Sequence, residues 1–357
     1  MTGGKGAAGM YWDTEAIVRD DRFTLIGRRD GQNDPLRLFW VGSGVVMNAK
    51  VREMTARIEA DWDEQSPWMS VAVDGAPVAR FPLRRGLHTY AILTGMDGAA
   101  AHRVRLTRDI QPMENDERLL VRLCGLDLDG ELLERTPARR MEFVGDSLTS
   151  GEGLTGPVSA SEWKTAWMSG AGTYAAQLCA ALDADGEWIS QSGWGIVTDW
   201  TNDPSHTLPR IYGQICGLQA AGRKPYDFPA HPVDAVVVNL GTNDGSALNA
   251  LPERERAGRR RDIASAVADF LARIRSLRPD VPILWVCGMC GDGMNALLEQ
   301  AVGEAAEAMK DGLIAFCPLP ACAEDEKGSL GHPGYLSHRR CAAIIAGRLR
   351  EMKPGIW

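Results

Sequence analysis

Short apolar runs alternate with turns over residues 1–138, a pattern typical of antiparallel β structure. The runs are rich in apolar and β-branched residues and cover 36–40, 44–50, 55–60, 68–73, 88–93, 102–107 and 119–124. Turn signals such as Asp74-Gly75 and Asp129-Gly130 separate them. Many short strands at regular spacing predict an antiparallel β-sandwich of the jelly-roll type.

The pattern changes after Arg139-Arg140, where strands and helices begin to alternate. Strands are predicted at 141–144, 187–190, 235–240, 283–286 and 313–317. The clearest helix covers 259–277, because apolar residues recur there on one face. This alternation predicts an α/β fold, with helices on both faces of a parallel sheet and ligands beyond the carboxyl ends of its strands. The predicted domains are therefore 1–138 and 139–357.

Composition fits a globular protein of two domains, with 357 residues, 45% of them hydrophobic and 24% charged. The net charge of −8 argues against a nucleic-acid partner, and the run 254–261, which mixes Arg with Glu, is interpreted as an exposed helix face. No stretch is apolar enough to span a membrane, and residues 1–10 lack the apolar segment of a signal peptide. We therefore expect a cytoplasmic protein with no membrane partner. The oligomeric state is not fixed by the sequence.

Eight cysteines are scattered along the chain, and Cys287 and Cys290 form a Cys-x-x-Cys pair. No second pair at zinc spacing accompanies them, so a redox or zinc site is less favoured than packed, reduced thiols. Nothing in the spacing calls for disulfides, which agrees with a cytoplasmic location.

Four short blocks carry candidate chemistry, and they are Gly145-Asp146-Ser147-Leu148, Ser192-Gly193-Trp194-Gly195, Gly241-Thr242-Asn243-Asp244 and Gly331-His332-Pro333. The first places Ser147 directly after a predicted buried strand, where open α/β sheets hold reactive groups. A serine hydroxyl is a poor nucleophile without an adjacent base. Taken by itself, Ser147 is therefore explained equally well as a nucleophile and as the cap of the following helix. Together the blocks supply a nucleophile, two hydrogen-bond donors and a base, the set that a serine hydrolase needs.

The base candidate is His332, which lies in a Gly-His-Pro turn before a predicted helix at 337–352. His338 falls in the first turn of that helix, where a hydrogen bond with the backbone is favoured over chemistry. Gly193 suits a backbone donor because no side chain blocks its N–H, and the Asn243 amide offers a second donor. On local grounds alone, an Asx-turn is the favoured explanation of Asn243, because such turns are abundant.

These blocks, in this order, resemble the SGNH (GDSL-type) hydrolases, over about 141–352. With a β-sandwich in front, the arrangement is most similar to carbohydrate esterase family two, whose members remove acetyl groups from sugars. The resemblance implies a flavodoxin-like three-layer sheet preceded by a jelly roll, and no metal or organic cofactor. It also implies that Ser147 is the nucleophile, that Gly193 and Asn243 donate to the oxyanion together with the Ser147 N–H, and that His332 is the general base.

The sequence departs from this pattern just before the histidine. SGNH hydrolases usually carry an Asp two or three residues upstream, but Leu330 and Ser329 occupy those positions here. Some relatives resemble this arrangement and use a Ser–His dyad, with the imidazole oriented by a backbone carbonyl. The nearest upstream acids are Glu324, Asp325 and Glu326, and Asp325 is the strongest candidate for a displaced partner of His332.

We interpret the chain as a serine esterase that deacetylates carbohydrate, with imported oligosaccharides as the expected substrates. Candidate substrate contacts are Asp146, Trp194 and Trp200, and Trp163 and Trp167 are candidates for a cleft wall. The alternatives are a lipid or thioester hydrolase on the same scaffold and a non-catalytic sugar-binding protein. A lipase needs a long apolar groove, whereas the loops here are rich in Trp, Asn, Asp and Ser.

Overall fold

The computed structural model describes residues 9–357. Residues 1–8, which make up most of the segment that lacks a signal-peptide pattern, lie outside the described residues. None of the helices within 9–357 is long and apolar enough to cross a membrane.

The described chain begins with a nine-stranded, hydrogen-bonded antiparallel sheet and one short helix, α1 (Thr14–Arg19). The strands are β1 (Met10–Asp13), β2 (Phe23–Ile26), β3 (Leu36–Arg37), β4 (Gly44–Asp61), β5 (Trp68–Val73), β6 (Ala76–Pro82), β7 (Gly86–Leu93), β8 (His102–Arg108) and β9 (Leu120–Leu133). β4 is the most extensively paired strand of this sheet, because it pairs with β2, β7, β8 and β9. Alternate residues of β4 and β9 point into one apolar core.

The predicted strands of this part are correct in place but not always in extent. β4 replaces two predicted strands, because the sheet accommodates the polar Arg52-Glu53 step with a register shift instead of a turn. β3 is shorter than predicted, while β9 continues to Leu133. β6 was not predicted, because its two prolines and exposed positions do not alternate in polarity. The antiparallel character itself is confirmed.

The second part is a five-stranded parallel sheet with helices on both faces. Its strands are β10 (Arg139–Gly145), β11 (Ala184–Ser190), β12 (Ala235–Asn239), β13 (Ile283–Cys287) and β14 (Ile314–Pro318). Its helices are α2 (Ser147–Ser150), α3 (Tyr174–Ala181), α4 (Leu208–Ile211), α5 (Thr242–Ala250), α6 (Glu253–Leu277), α7 (Asn295–Met309) and α8 (Tyr335–Met352). The strand order β11-β10-β12-β13-β14 is the flavodoxin-like order 2-1-3-4-5.

Two apolar cores make the three layers, one on each face of this sheet. One core joins the strands to α6 and α7, and the other joins them to α3 and α8. The predicted α/β fold class is therefore confirmed. The chain passes from one sheet to the other between Leu133 and Arg139, while the division into domains at 138/139 stays a prediction.

Candidate active site

Ser147 and His332 meet at the carboxyl end of the parallel sheet. Ser147 is the first residue of α2, directly after β10, and His332 lies in the loop between β14 and α8. Their Oγ and Nε2 atoms are 2.9 Å apart. In the tautomer with the ring proton on Nδ1, the Ser147 hydroxyl donates to Nε2, which is the arrangement that a general base needs. Both residues line a cavity of about 770 Å³.

Gly193 and Asn243 line the same cavity; Gly193 lies on the loop that follows β11, and Asn243 lies in the first turn of α5, which follows β12. Gly193 has a φ of +80°, and a Cβ at this position would lie 3.1 Å from Cδ1 of Trp200. This position therefore favours glycine for both its conformation and its packing. The structure brings all four sequence blocks together, and the catalytic roles of their residues stay predictions.

The amide of Asn243 is held in place by two acceptors. Its Nδ2 donates to the Trp194 carbonyl at 2.8 Å and to Oδ2 of Asp146 at 3.3 Å. Asp146 also caps α2, since its Oδ1 accepts from the Leu148 N–H at 3.0 Å. One carboxylate therefore positions both the helix that carries Ser147 and the amide of Asn243.

Two of the predicted substrate contacts are corrected by this geometry. Asp146 is fully buried, and Trp194 is 3% exposed, so neither side chain forms part of the cavity surface. The Trp194 indole instead donates to Glu114 at 3.3 Å and stacks on His206. Trp200 is 61% exposed and lines the cavity, so its role as a substrate contact stays a prediction.

Only one of the two tryptophans predicted to form a cleft wall lines the cavity. Trp163 lines the cavity, whereas Trp167 lies outside its lining, under the amino group of Lys164. His338 accepts a hydrogen bond from the Tyr174 backbone N–H at 3.0 Å, as expected for a structural histidine. Burial lowers the pKa of His338 to about 3, so this ring stays neutral.

Burial raises the pKa of two carboxyl groups near the cavity. It raises the pKa of Asp146 to about 7, with further increases from the charges of Asp244 and Glu152. It raises the pKa of Asp244 to about 6, although backbone N–H groups of Val197 and Ile196 stabilise the carboxylate. Asp244 thereby fixes the loop after Gly193 to α5. The sequence block contained Asp244, but nothing in the pattern revealed this role.

A charged cluster supports the Gly193 loop and was also missed. The Nε2 of His206 lies 2.6 Å from Glu114, and its Nδ1 lies 2.9 Å from Asp199. Burial lowers the pKa of His206, but the hydrogen bond to Asp199 and the charge of Glu114 outweigh it, so the pKa is raised. Glu114 belongs to the segment between β8 and β9, so the antiparallel part helps to hold the site.

The orientation of His332 differs from both sequence-based alternatives. Its Nδ1 is buried and has no hydrogen-bond partner within residues 9–357, so neither Asp325 nor a backbone carbonyl orients the ring. Asp325 is exposed, while Glu324 pairs with Lys327 and Glu326 with Arg340. The nearest carboxylate belongs instead to Glu152, whose Oε2 lies 4.0 Å from Nε2 of His332.

Comparison with known proteins places this geometry in a family. The model of the GDSL-like lipase/acylhydrolase family matches residues 143–339, which span all four blocks. The solved structure of an acetyl xylan esterase from the rumen bacterium Butyrivibrio proteoclasticus is 30% identical. It covers 98% of this chain and 100% of its own, with a TM-score of 0.93.

Curated relatives also cover nearly the whole chain. An acetylxylan esterase / glucomannan deacetylase of Cellvibrio japonicus is 23% identical, over 95% of this chain and 91% of the relative. The cellulase/esterase CelE of Acetivibrio thermocellus is 24% identical over 95% of this chain, which spans 40% of CelE. The family match covers more than half of the chain and includes the strand, nucleophile and histidine loops described above. The chain therefore belongs to the GDSL-like lipase/acylhydrolase family of ester hydrolases.

Proposed function

We propose that this protein removes O-acetyl groups from carbohydrate by a Ser–His acyl-enzyme mechanism. The observation that carries the proposal is the 2.9 Å contact between Ser147 Oγ and His332 Nε2, at the base of an open cavity. The names of the relatives, which are acetyl xylan esterases and a glucomannan deacetylase, support the substrate class.

In the proposed mechanism, His332 Nε2 takes the Ser147 proton while Oγ attacks the acetyl carbonyl carbon. The carbonyl oxygen becomes an oxyanion that accepts from the Ser147 and Gly193 N–H groups and from Asn243 Nδ2. His332 then returns the proton to the departing sugar oxygen, and water attacks the acyl-enzyme by the same route to release acetate. We expect Asn243 to use the hydrogen that contacts Asp146, because at 3.3 Å that bond is the weaker of its two.

The cavity lining favours a sugar over a long acyl chain. It contains many carboxylate and amide side chains, including those of Glu64, Gln65, Gln111, Asn115, Asp116 and Glu152. Large apolar side chains are few, and the exposed Trp200 ring offers a face on which a sugar ring can stack. The alternative of a lipid or thioester hydrolase needs an apolar groove of several methylene lengths, where each buried methylene contributes about 0.8 kcal/mol.

The proposal is tested by comparing p-nitrophenyl acetate with the octanoate ester and by measuring acetate release from acetylated xylo-oligosaccharides. We expect rapid cleavage of the acetate ester, release of acetate from the oligosaccharide, and no activity in Ser147→Ala. Activity that increases steadily with acyl length would favour the lipid hydrolase. Binding of the oligosaccharide without any hydrolysis would favour the sugar-binding protein. The cytoplasmic location and imported substrate stay predictions.

A further inference from the structure

Glu152 is a carboxylate inside the catalytic cavity to which the four-block pattern gives no role. It lies five residues after Ser147 in the chain, and its backbone N–H donates to the Ser147 carbonyl at 3.0 Å. Its side chain is 10% exposed and lines the cavity. Among the described residues, His332 is the one basic side chain within 4.0 Å of this carboxylate.

Hydrogen bonds join the loop that carries Glu152 to the loop that carries His332, next to this contact. The N–H of Ser329 donates to the Gly153 carbonyl at 2.9 Å, and the Ser329 hydroxyl donates to the same carbonyl at 3.3 Å. Gly153 has a φ of +70°, and a Cβ there would lie 2.9 Å from Cβ of His332. Glycine at 153 therefore permits the close approach of the two loops, and the Glu152–His332 distance is set by backbone contacts.

The charged groups around the imidazole are unevenly distributed. On the Nε2 side lie the Ser147 hydroxyl and the Glu152 carboxylate, while Nδ1 has no polar partner within residues 9–357. The carboxyl of Asp146, the residue before Ser147, is buried, and the buried His338 is neutral. A positive charge on His332 is therefore attracted mainly by Glu152.

We infer that Glu152 is a positioning residue that stabilises the His332 imidazolium and so replaces the acid missing before the histidine. When Ser147 attacks, its O–H bond breaks, the proton moves to Nε2, and the oxygen electron pair forms the bond to the carbonyl carbon. The ring then carries a positive charge 4.0 Å from the Glu152 carboxylate. Opposite charges at this distance attract strongly enough to favour that state. The inference rests on the proposed Ser–His mechanism, and it does not depend on which acetyl ester is cleaved.

The test is the kinetics of Glu152→Gln with p-nitrophenyl acetate, beside Glu152→Asp and the control Asp325→Asn. We expect kcat of Glu152→Gln to fall about 10- to 100-fold, because the variant loses the attraction between opposite charges about 4 Å apart in a partly screened site. KM should stay within about twofold of the wild-type value. Glu152→Asp should recover part of kcat, and Asp325→Asn should stay within about threefold of the wild type.

Two outcomes would overturn the inference. A change confined to KM would make Glu152 a substrate contact. Equal losses in the Gln and Asp variants, with unchanged thermal unfolding, would exclude its charge. Because p-nitrophenyl acetate contains no sugar, a wild type that cleaves it but not acetylated oligosaccharides would refute the proposed substrate and leave the Glu152 inference intact.

Discussion

The same two strands, β10 and β11, carry a buried charged network at their centre and the candidate active site at their carboxyl end. Glu142 and Glu187 are direct neighbours in the parallel register, only a few residues before Ser147 and the Gly193 loop. The two regions are both polar and largely buried. They differ in the partners of their carboxyl groups, because Glu142 and Glu187 each lie within 4 Å of guanidinium groups, and this difference separates a structural role from a chemical one.

In the network, each carboxylate has strong partners. Arg278 donates to Glu142 at 2.5 Å and to Glu187 at 3.2 Å, and the hydroxyl of Tyr212 also donates to Glu142. Burial raises the pKa of Glu142, but the charges of Arg278 and Arg28 outweigh it and lower the pKa. Arg28 comes from the segment that follows β2, so the network also ties the antiparallel part to the parallel sheet.

At the carboxyl end, by contrast, no Arg or Lys within the described residues pairs with the carboxyl groups of Asp146, Asp244 or Glu152. His332 Nδ1 has no partner within the described residues, Glu152 stands 4.0 Å from the ring, and burial raises the pKa of Asp146 to about 7. Such groups reduce the stability of the fold, a cost that is common at functional sites because the reaction uses these groups. The comparison therefore predicts that variants of the network change stability, whereas variants of the site change activity.

The largest expected effect is the loss of activity in Ser147→Ala and His332→Ala. Each should lower kcat for acetyl esters by about 10⁴ or more, and the double variant should be little worse, because the two residues act as a unit. Unfolding in urea should change by no more than about 1 kcal/mol in each. A His332→Ala enzyme that keeps more than about a tenth of wild-type kcat would remove His332 from the mechanism.

Stability should respond most to Arg278→Met, which leaves Glu142 and Glu187 buried with one cation fewer. Breaking a buried ion pair in this way typically costs about 3–5 kcal/mol, measurable by urea unfolding. The control is Arg254→Met on α6, whose side chain is 83% exposed and should contribute little. We expect kcat of folded Arg278→Met to stay close to wild type. A large loss of kcat without loss of stability would contradict the division between the two regions.

Asn243→Ala tests a residue of the site whose amide nitrogen already donates to two acceptors. Loss of one oxyanion donor should lower kcat by about 10²–10³ with KM nearly unchanged, because the bond matters in the transition state. Asn249→Ala, at an exposed position near the end of the same helix, is the control. A change in KM alone would show that Asn243 binds substrate or only holds the Trp194 loop.

The sequence predicted what depends on local pattern and failed where distant segments meet. Alternation of strands and helices was sufficient for the α/β fold, and the small-residue blocks located Ser147, Gly193, Asn243 and His332. Glu152 was missed because a single Glu in a loop has no periodicity, and its contact with His332 spans 180 positions of the chain. Trp194 was misplaced because its ring is covered by His206 and Glu114, which come from other loops. Burial and pairing of this kind are decided by tertiary packing.

The smallest effect concerns Asp146, which shares features of both regions because it is fully buried yet incompletely paired. Its pKa is raised to about 7 in the folded state, above its unfolded value of about 3.9. The folded state therefore binds the extra proton, and stability from this group is lost as the pH rises towards 7. In Asp146→Asn, which is neutral and still accepts from Leu148, this loss should be absent. The unfolding free energy of the variant, relative to wild type, should increase by about 2 kcal/mol between pH 5.5 and 7.5. Urea unfolding of both proteins at these pH values measures this difference in unfolding free energy. A difference that does not change with pH would show that Asp146 is ionised throughout this pH range.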